Sequence, residues 1–224
     1  MARAPKPKER LVDRALRELE ERFVTLKFAP GSQWTEATLS VWLKIGRTPV
    51  REAVARMALD GLVTVVKRAG IVVSQVSIEE QLKILETRRA LERLVSASAA
   101  LRAADEERAA LRRMADDIDA TAGTDDVNAY LRHHFEIKRY VAAVARNPYS
   151  ARALRPLHTF SQRFFYVHYR ELNNLRDVAP AHAQLTRAIA DGDAALAASR
   201  CDAVSDIAER FTRDLLMGRT RLAA

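Results

Sequence analysis

A helix that opens on Arg-Thr-Pro fixes most of what the first third of this chain can become. In the run Gly46-Arg47-Thr48-Pro49-Val50-Arg51-Glu52-Ala53, the proline has no N–H to donate. That costs little in a first helical turn, where the N–H groups lack intrahelical acceptors anyway. Arg51 follows Arg47 by about one turn, so both guanidiniums project from one face. The pattern predicts a helix from about Thr48 that carries Val50, Val54 and Met57 inward. It ends at Asp60-Gly61, with Gly61 in the left-handed position past the helix end.

The flanking segments narrow the choice. Residues 9–27 set Leu11, Ala15, Leu19 and Phe23 at helical spacing between charges. Ala29-Pro30-Gly31-Ser32 ends that helix. Thr35 is placed to cap a short helix with Leu39, Trp42 and Leu43, and Lys44-Ile45-Gly46 makes a tight connection. Beyond Gly61, the β-branched runs Leu62–Val66 and Ile71–Ser74 flank Lys67-Arg68-Ala69-Gly70, which predicts a two-stranded hairpin with a basic tip. Helix, helix, turn, helix and hairpin is the order of a winged helix-turn-helix. Its recognition helix enters the DNA major groove by its N-terminal end. Arg47 and Arg51 suit guanine edges or phosphates, and Thr48 suits a phosphate or a thymine methyl. Glu52 is placed to orient an arginine. Lys67 and Arg68 suit phosphates or the minor groove.

Bulk properties agree. The chain has 224 residues, a net charge of +8 and 48% apolar residues, enough for a sizeable core and biased toward anionic partners. With only 7 Gly and 7 Pro it is not a loop-rich or all-β protein. A single Cys201 excludes an intrachain disulfide and a cysteine zinc knot, and suits a reducing cytoplasm. No apolar run is long enough for a membrane span. The start MARAPKPKER lacks the apolar core of a signal peptide and reads as a disordered basic tail over residues 1–8.

A second domain is expected over 77–224, after a winged domain of 9–76. Ser77-Ile78-Glu79-Glu80 is a capping box that opens a long helix. Only helical periodicity follows, over 78–102, 106–121, 126–145, 149–172, 179–191 and 194–217. Breaks are expected at Asp105, Gly123-Thr124-Asp125, Asn147-Pro148, Asn173–Asp177 and Gly192-Asp193. The fold class is therefore mainly α: a winged helix-turn-helix plus a bundle of about six helices. The aromatic stripe His158, Thr159, Phe160, Phe164, Phe165, Tyr166, His168 and Tyr169 reads as core or pocket lining. Cys201 reads as a buried small hydrophobe.

Pro30-Gly31, Glu36, Leu39, the Gly46–Ala53 run, Gly61-Leu62-Val63 and Gly70 together resemble the N-terminal domain of the GntR family of bacterial regulators. The resemblance implies that Arg47, Thr48 and Arg51 contact an operator and that Gly70 lets the wing approach the duplex. Two positions depart from the family pattern. Ala37 stands where an arginine is frequent, and Gly46 where a serine or threonine is usual, so the operator sequence does not carry over.

Glu86, Arg88, Leu91-Glu92, Asn147-Pro148, His182, Ala188-Ile189 and Gly192-Asp193 are similar to the effector (FCD) domain of the FadR branch, in its shorter VanR-type version. This implies an antiparallel all-α bundle, a central pocket for a small carboxylate, and a homodimer. Family members are mostly repressors relieved by ligand. Many also hold a divalent metal such as zinc or nickel through an Asp and several His. The matching positions here are His134, Lys138, His182 and Val204, and a protonated lysine has no lone pair for a metal. No metal cofactor is therefore expected. Lys138 is expected to supply the positive charge instead, with Arg88, His134, His182, Arg163 and Gln162 as further effector contacts. A metal-dependent regulator would have to use His134 and His182 with His158 or His168. A helical enzyme is a remote third reading, since no nucleophile–base pair, Gly-rich phosphate loop or paired carboxylates are present.

Overall fold

Hydrophobic spacing, cap by cap, builds two units that the computed structural model describes over residues 9–68, 70–75, 77–124, 126–168 and 175–218. The first unit is Met1–Gln75 and the second Val76–Ala224. The expected basic tail, Ala69, Val76, Asp125, the end of the fourth predicted bundle helix (169–172), Tyr169 and Asn173 lie outside the described residues.

The first unit begins with α1 (Leu11–Val24), which buries Val12, Ala15, Leu16, Leu19 and Phe23. Leu11, expected on that face, is 56% exposed, because the buried stripe runs through Val12 and Leu16. In α2 (Glu36–Leu43) the Thr35 hydroxyl accepts from the Thr38 N–H, and the Thr38 hydroxyl accepts from the Thr35 N–H. This satisfies two orphan donors at once. Lys44 turns the chain in the left-handed region at φ 54°, and the Ser40 hydroxyl donates to the Ile45 carbonyl at 2.6 Å.

Then α3 (Arg47–Leu59) inserts Val50, Ala53, Val54 and Met57 into the core. At its end Gly61 has φ 76°. The Gly61 N–H donates to Ala58 O and the Leu62 N–H to Met57 O, the paired bonds of a Schellman stop.

The wing has three strands, not two. β1 (Gln33–Trp34), β2 (Val63–Val66) and β3 (Gly70–Val73) form an antiparallel sheet in the order β1-β3-β2. Register pairs Gln33 with Val72 and Val63 with Val73. The third strand is only two residues long, too short for an alternating pattern to register.

The second unit is helical throughout its described residues. It comprises α4 (Ile78–Arg102), α5 (Asp105–Asp119), α6 (Val127–Val144), α7 (Pro148–Val167), α8 (Leu175–Asp191) and α9 (Ala194–Leu216). Ser77 and Glu80 form the capping box of α4. Asn147 caps α7 ahead of Pro148, and Asp193 caps α9. The second bundle helix stops at Asp119 rather than 121, because residues 120–123 tighten into a 3₁₀ turn. The described part of α7 ends at Val167.

The described part of α8 begins at Leu175, four residues before the expected Ala179, and takes in Arg176 and Asp177 where a break was expected. A frame from Leu175 puts Leu175, Val178, Ala179 and His182 on one buried side. That burial outweighs the interior Pro180, whose local cost is one lost N–H bond and crowding. α4 packs along α9 and also meets α6, α7 and α8, while α5 pairs with α8. The shared core includes Leu111, Ile118, Leu154, Ile189 and the fully buried Cys201. No helix among the described residues is long and apolar enough to cross a membrane.

Candidate functional site

Two sites emerge, one in each unit. In the first, α3 offers its N-terminal end, where the first N–H groups and the helix dipole favour an anion. Arg47, Thr48 and Arg51 are exposed there, and Lys67 and Arg68 are exposed on the wing. The Arg51 Nε donates to both Glu36 oxygens at 3.1 and 2.9 Å, across from α3 to α2. Glu36, rather than the adjacent Glu52, therefore orients Arg51.

Gly70 has a structural reason of its own. Its φ is +84°, and a Cβ would sit 2.5 Å from the Trp34 carbonyl oxygen. The sheet itself requires glycine there, quite apart from any approach to a duplex. Behind the interface, Trp34 and Trp42 stack with ring centroids 4.9 Å apart, and the Arg22 guanidinium lies 4.9 Å from the Trp42 ring.

The second site is a chamber inside the helical unit. Leu85, Arg88 and Glu92 of α4, Tyr130 and His134 of α6, Phe165 of α7, Val178 and His182 of α8, and Val204, Ile207 and Phe211 of α9 line it. A smaller polar recess shares Arg88, His134 and Phe165 with it and adds Lys138, His158, Ser161 and Gln162.

Glu92 organises this interior. Its Oε1 accepts from Arg88 Nε and Nη2, at 3.2 and 2.8 Å, and lies 2.7 Å from His158 Nε2. Its Oε2 accepts from Lys138 Nζ at 3.0 Å. Burial alone would push the Glu92 carboxyl up, but Arg88, Lys138 and His158 outweigh it and hold the group well below the usual carboxylate range.

Burial disfavours the charged form of the three histidines of this interior, His134, His158 and His182. Burial, with His182, Lys138 and Arg88 nearby, pushes His134 well down. Burial and then Lys138 bring His182 to about 3. His158 is lowered by burial, partly offset by Glu92. His182 Nδ1 lies 2.9 Å from Val178 O and 3.2 Å from Tyr130 Oη. Nδ1 therefore carries the proton toward the carbonyl, which leaves Nε2 as an acceptor. Burial raises the Tyr130 phenol, so it too stays neutral. Both ring nitrogens of His134 are buried without a partner among the described residues.

The expected effector residues divide accordingly. Arg88, His134 and His182 share the main chamber, and Lys138 and Gln162 line the recess. Lys138 is not idle but bound to Glu92, since an ammonium this deeply buried needs a counter-charge. Arg163 is 2% exposed, lines none of these spaces and has its own protein interaction. Burial lowers its guanidinium to about 10. Glu92 and Tyr130 were not foreseen as participants. The signal for Glu92 was its place on the buried stripe of α4, one turn beyond Arg88.

A divalent metal does not fit. Among the described residues no three His, Cys, Asp or Glu side chains gather to hold one. His134 and His182 are adjacent, with rings 4.4 Å apart. The remaining family positions, however, are an ammonium already bonded to Glu92 and the buried Val204. His158 is bonded to Glu92.

Comparison with known proteins identifies a domain family for each unit. The model of the bacterial regulatory proteins of the GntR family matches residues 11–73, and the FCD domain model matches 83–205. The Nta operon transcriptional regulator of Aminobacter aminovorans is 26% identical over 168 residues, 75% of this chain and 78% of that protein. The solved structure of E. coli McbR/YncC is similar with a TM-score of 0.79 at 16% identity, over 93% of this chain and 100% of that one. Lar of Listeria monocytogenes, which controls expression of the agr system, is similar with a TM-score of 0.57 at 18% identity. That match covers 94% of this chain and 100% of Lar. At these identities the two structures speak to the fold alone.

Proposed function

Because the chain belongs to the GntR family of bacterial regulatory proteins and carries an FCD domain, we propose that it is a cytoplasmic, homodimeric repressor whose grip on its operator is loosened by a small carboxylate in the helical chamber. It is a transcriptional regulator, not an enzyme. Arg47, Thr48 and Arg51 read base edges or phosphates in the major groove. Lys67 and Arg68 meet the backbone or minor groove beside it. Two subunits read the two halves of a pseudo-palindromic site.

The observation that carries the effector reading is His134. A buried imidazole with both nitrogens unpartnered among the described residues, beside Arg88 in a largely apolar chamber, is an unfilled demand for hydrogen bonds. A ligand that meets this demand better in one arrangement of the protein shifts the population toward that arrangement, and DNA affinity with it. Salt-controlled anisotropy on a duplex selected from a random pool tests the whole reading. DNA affinity should fall as small carboxylates are added. Binding indifferent to every acid in a broad panel would remove the effector claim.

The response is proposed to be metal-free, in keeping with Lys138 and Val204 at the ligand positions. A melting temperature unmoved by zinc, nickel or a chelator is the expected result.

A further inference from the structure

We propose that the chamber selects a ligand with one negative charge on an apolar body, an aliphatic or aromatic monocarboxylate, over dicarboxylates and over neutral molecules of the same shape. This rests on the effector reading above and adds the charge and the shape of the ligand.

The charge follows from a count. Among the described residues lining the chamber and its recesses, Arg88 and Lys138 are the cations and Glu92 is the sole carboxylate. All three side chains are at most 10% exposed. Glu92 is already saturated: Oε1 serves Arg88 and His158, and Oε2 serves Lys138. With His158, His134 and His182 neutral, the enclosure holds one positive charge in surplus. An uncompensated buried charge is costly. A monoanion cancels it, a dianion reverses it, and a neutral ligand leaves it standing.

The donors that would receive the anion are in place. Arg88 uses Nε and Nη2 on Glu92 and keeps Nη1, while Lys138 makes a single bond. His134 keeps its ring N–H. All three side chains line the polar recess, beside Ser161 and Gln162. Arg88, His134 and Phe165 also line the main chamber, so a head group in the recess sends its tail among Leu85, Val178, Val204, Ile207 and Phe211. Those walls favour hydrocarbon, and the polar groups left to a body between them are few: the Tyr130 phenol, His182 and Ser205.

Calorimetry on the full chain at neutral pH tests this with three probe pairs: benzoate and hexanoate, benzamide and hexanamide, phthalate and adipate. The monocarboxylates should bind at least about tenfold tighter than the matching amides and diacids. Lys138→Gln should erase the preference for acid over amide. The double variant Glu92→Gln/Lys138→Gln keeps the surplus on Arg88 and should retain it, and it remains informative if the single variant does not fold. Amides or diacids binding as tightly as the monoacids would overturn the charge inference and leave the effector reading standing. If no probe of any class binds, both fall.

Discussion

Arg51–Glu36 in the winged unit and Arg88–Glu92 in the helical unit are the same chemical pair at nearly the same distance, 2.9 and 2.8 Å. Their surroundings differ. The Arg51 and Glu36 side chains keep 66% and 36% of their surface in water, whereas Arg88 and Glu92 keep 7% and 6%. Water screens the first pair to a small net energy, so Arg51 can leave Glu36 for a phosphate or a guanine at little cost. The second pair cannot be broken cheaply, because each partner would be a bare ion in a low dielectric. One arrangement leaves an arginine free to change partners, and the other fixes the electric field of a chamber.

The contrast can be broken most directly at its buried end. Glu92→Ala should destabilise the helical unit by about 3–5 kcal/mol, since it strands Arg88 and Lys138 together. Urea denaturation followed by far-ultraviolet circular dichroism measures this. A loss under about 1 kcal/mol would mean that water reaches the cluster freely.

Acid should separate the units next. All 5 histidines lie in the helical unit, and His134 and His182 are depressed below their unfolded value by burial. A depressed histidine stabilises the fold above its unfolded pKa. That stability is lost as pH falls toward the folded value, because the unfolded chain takes up the proton first. Between pH 7.5 and 5.5 the two residues together should remove about 2–3 kcal/mol from the helical unit. Glu92, also depressed, adds its own loss only below the ordinary carboxylate range. Both tryptophans, Trp34 and Trp42, lie in the winged unit, so their fluorescence should report little change while the helical signal weakens.

At the exposed end, Arg47→Ala or Arg51→Ala should each cost about 1–3 kcal/mol of specific DNA binding if the guanidinium makes a bidentate base contact. Folding stability should stay at the parental value. Anisotropy with specific and random duplexes at matched salt separates base reading from phosphate contact. Smallest of all, Glu36→Ala should change stability by less than about 1 kcal/mol. Its larger effect should fall on DNA discrimination, through a less ordered Arg51.

Local signals in the sequence carried the fold where chemistry is local. Thr35 and Ser77 announce their helices because a hydroxyl cap needs only its own next turn. Gly61 announces a stop because few other residues accept its φ. The pairing of Gln33-Trp34 with Val72 and Ile71 was not legible, because two residues cannot display a period. The part of α8 before Pro180 was hidden by that proline, a local penalty outweighed by burial of Leu175 and Val178. In the chamber, the spacing of Arg88 and Glu92 was visible on one helix. Lys138 and His158 reach Glu92 from other helices, and nothing in a linear pattern states which carboxylate a buried cation will find. That is why Lys138 reads from sequence as a free charge and Arg163 as a chamber residue.

Cys201, fully buried in α9 and with its thiol pushed up by burial, gives the molecule a practical property. It is the chain's single sulfhydryl, and it is both shielded and protonated at neutral pH, so a maleimide dye has little to attack. A cysteine introduced at the wing as Lys67→Cys would then be the sole reactive thiol without any prior removal of the native one. On the proposed function, a fluorophore placed there would give a site-specific optical readout of operator docking from one labelled protein.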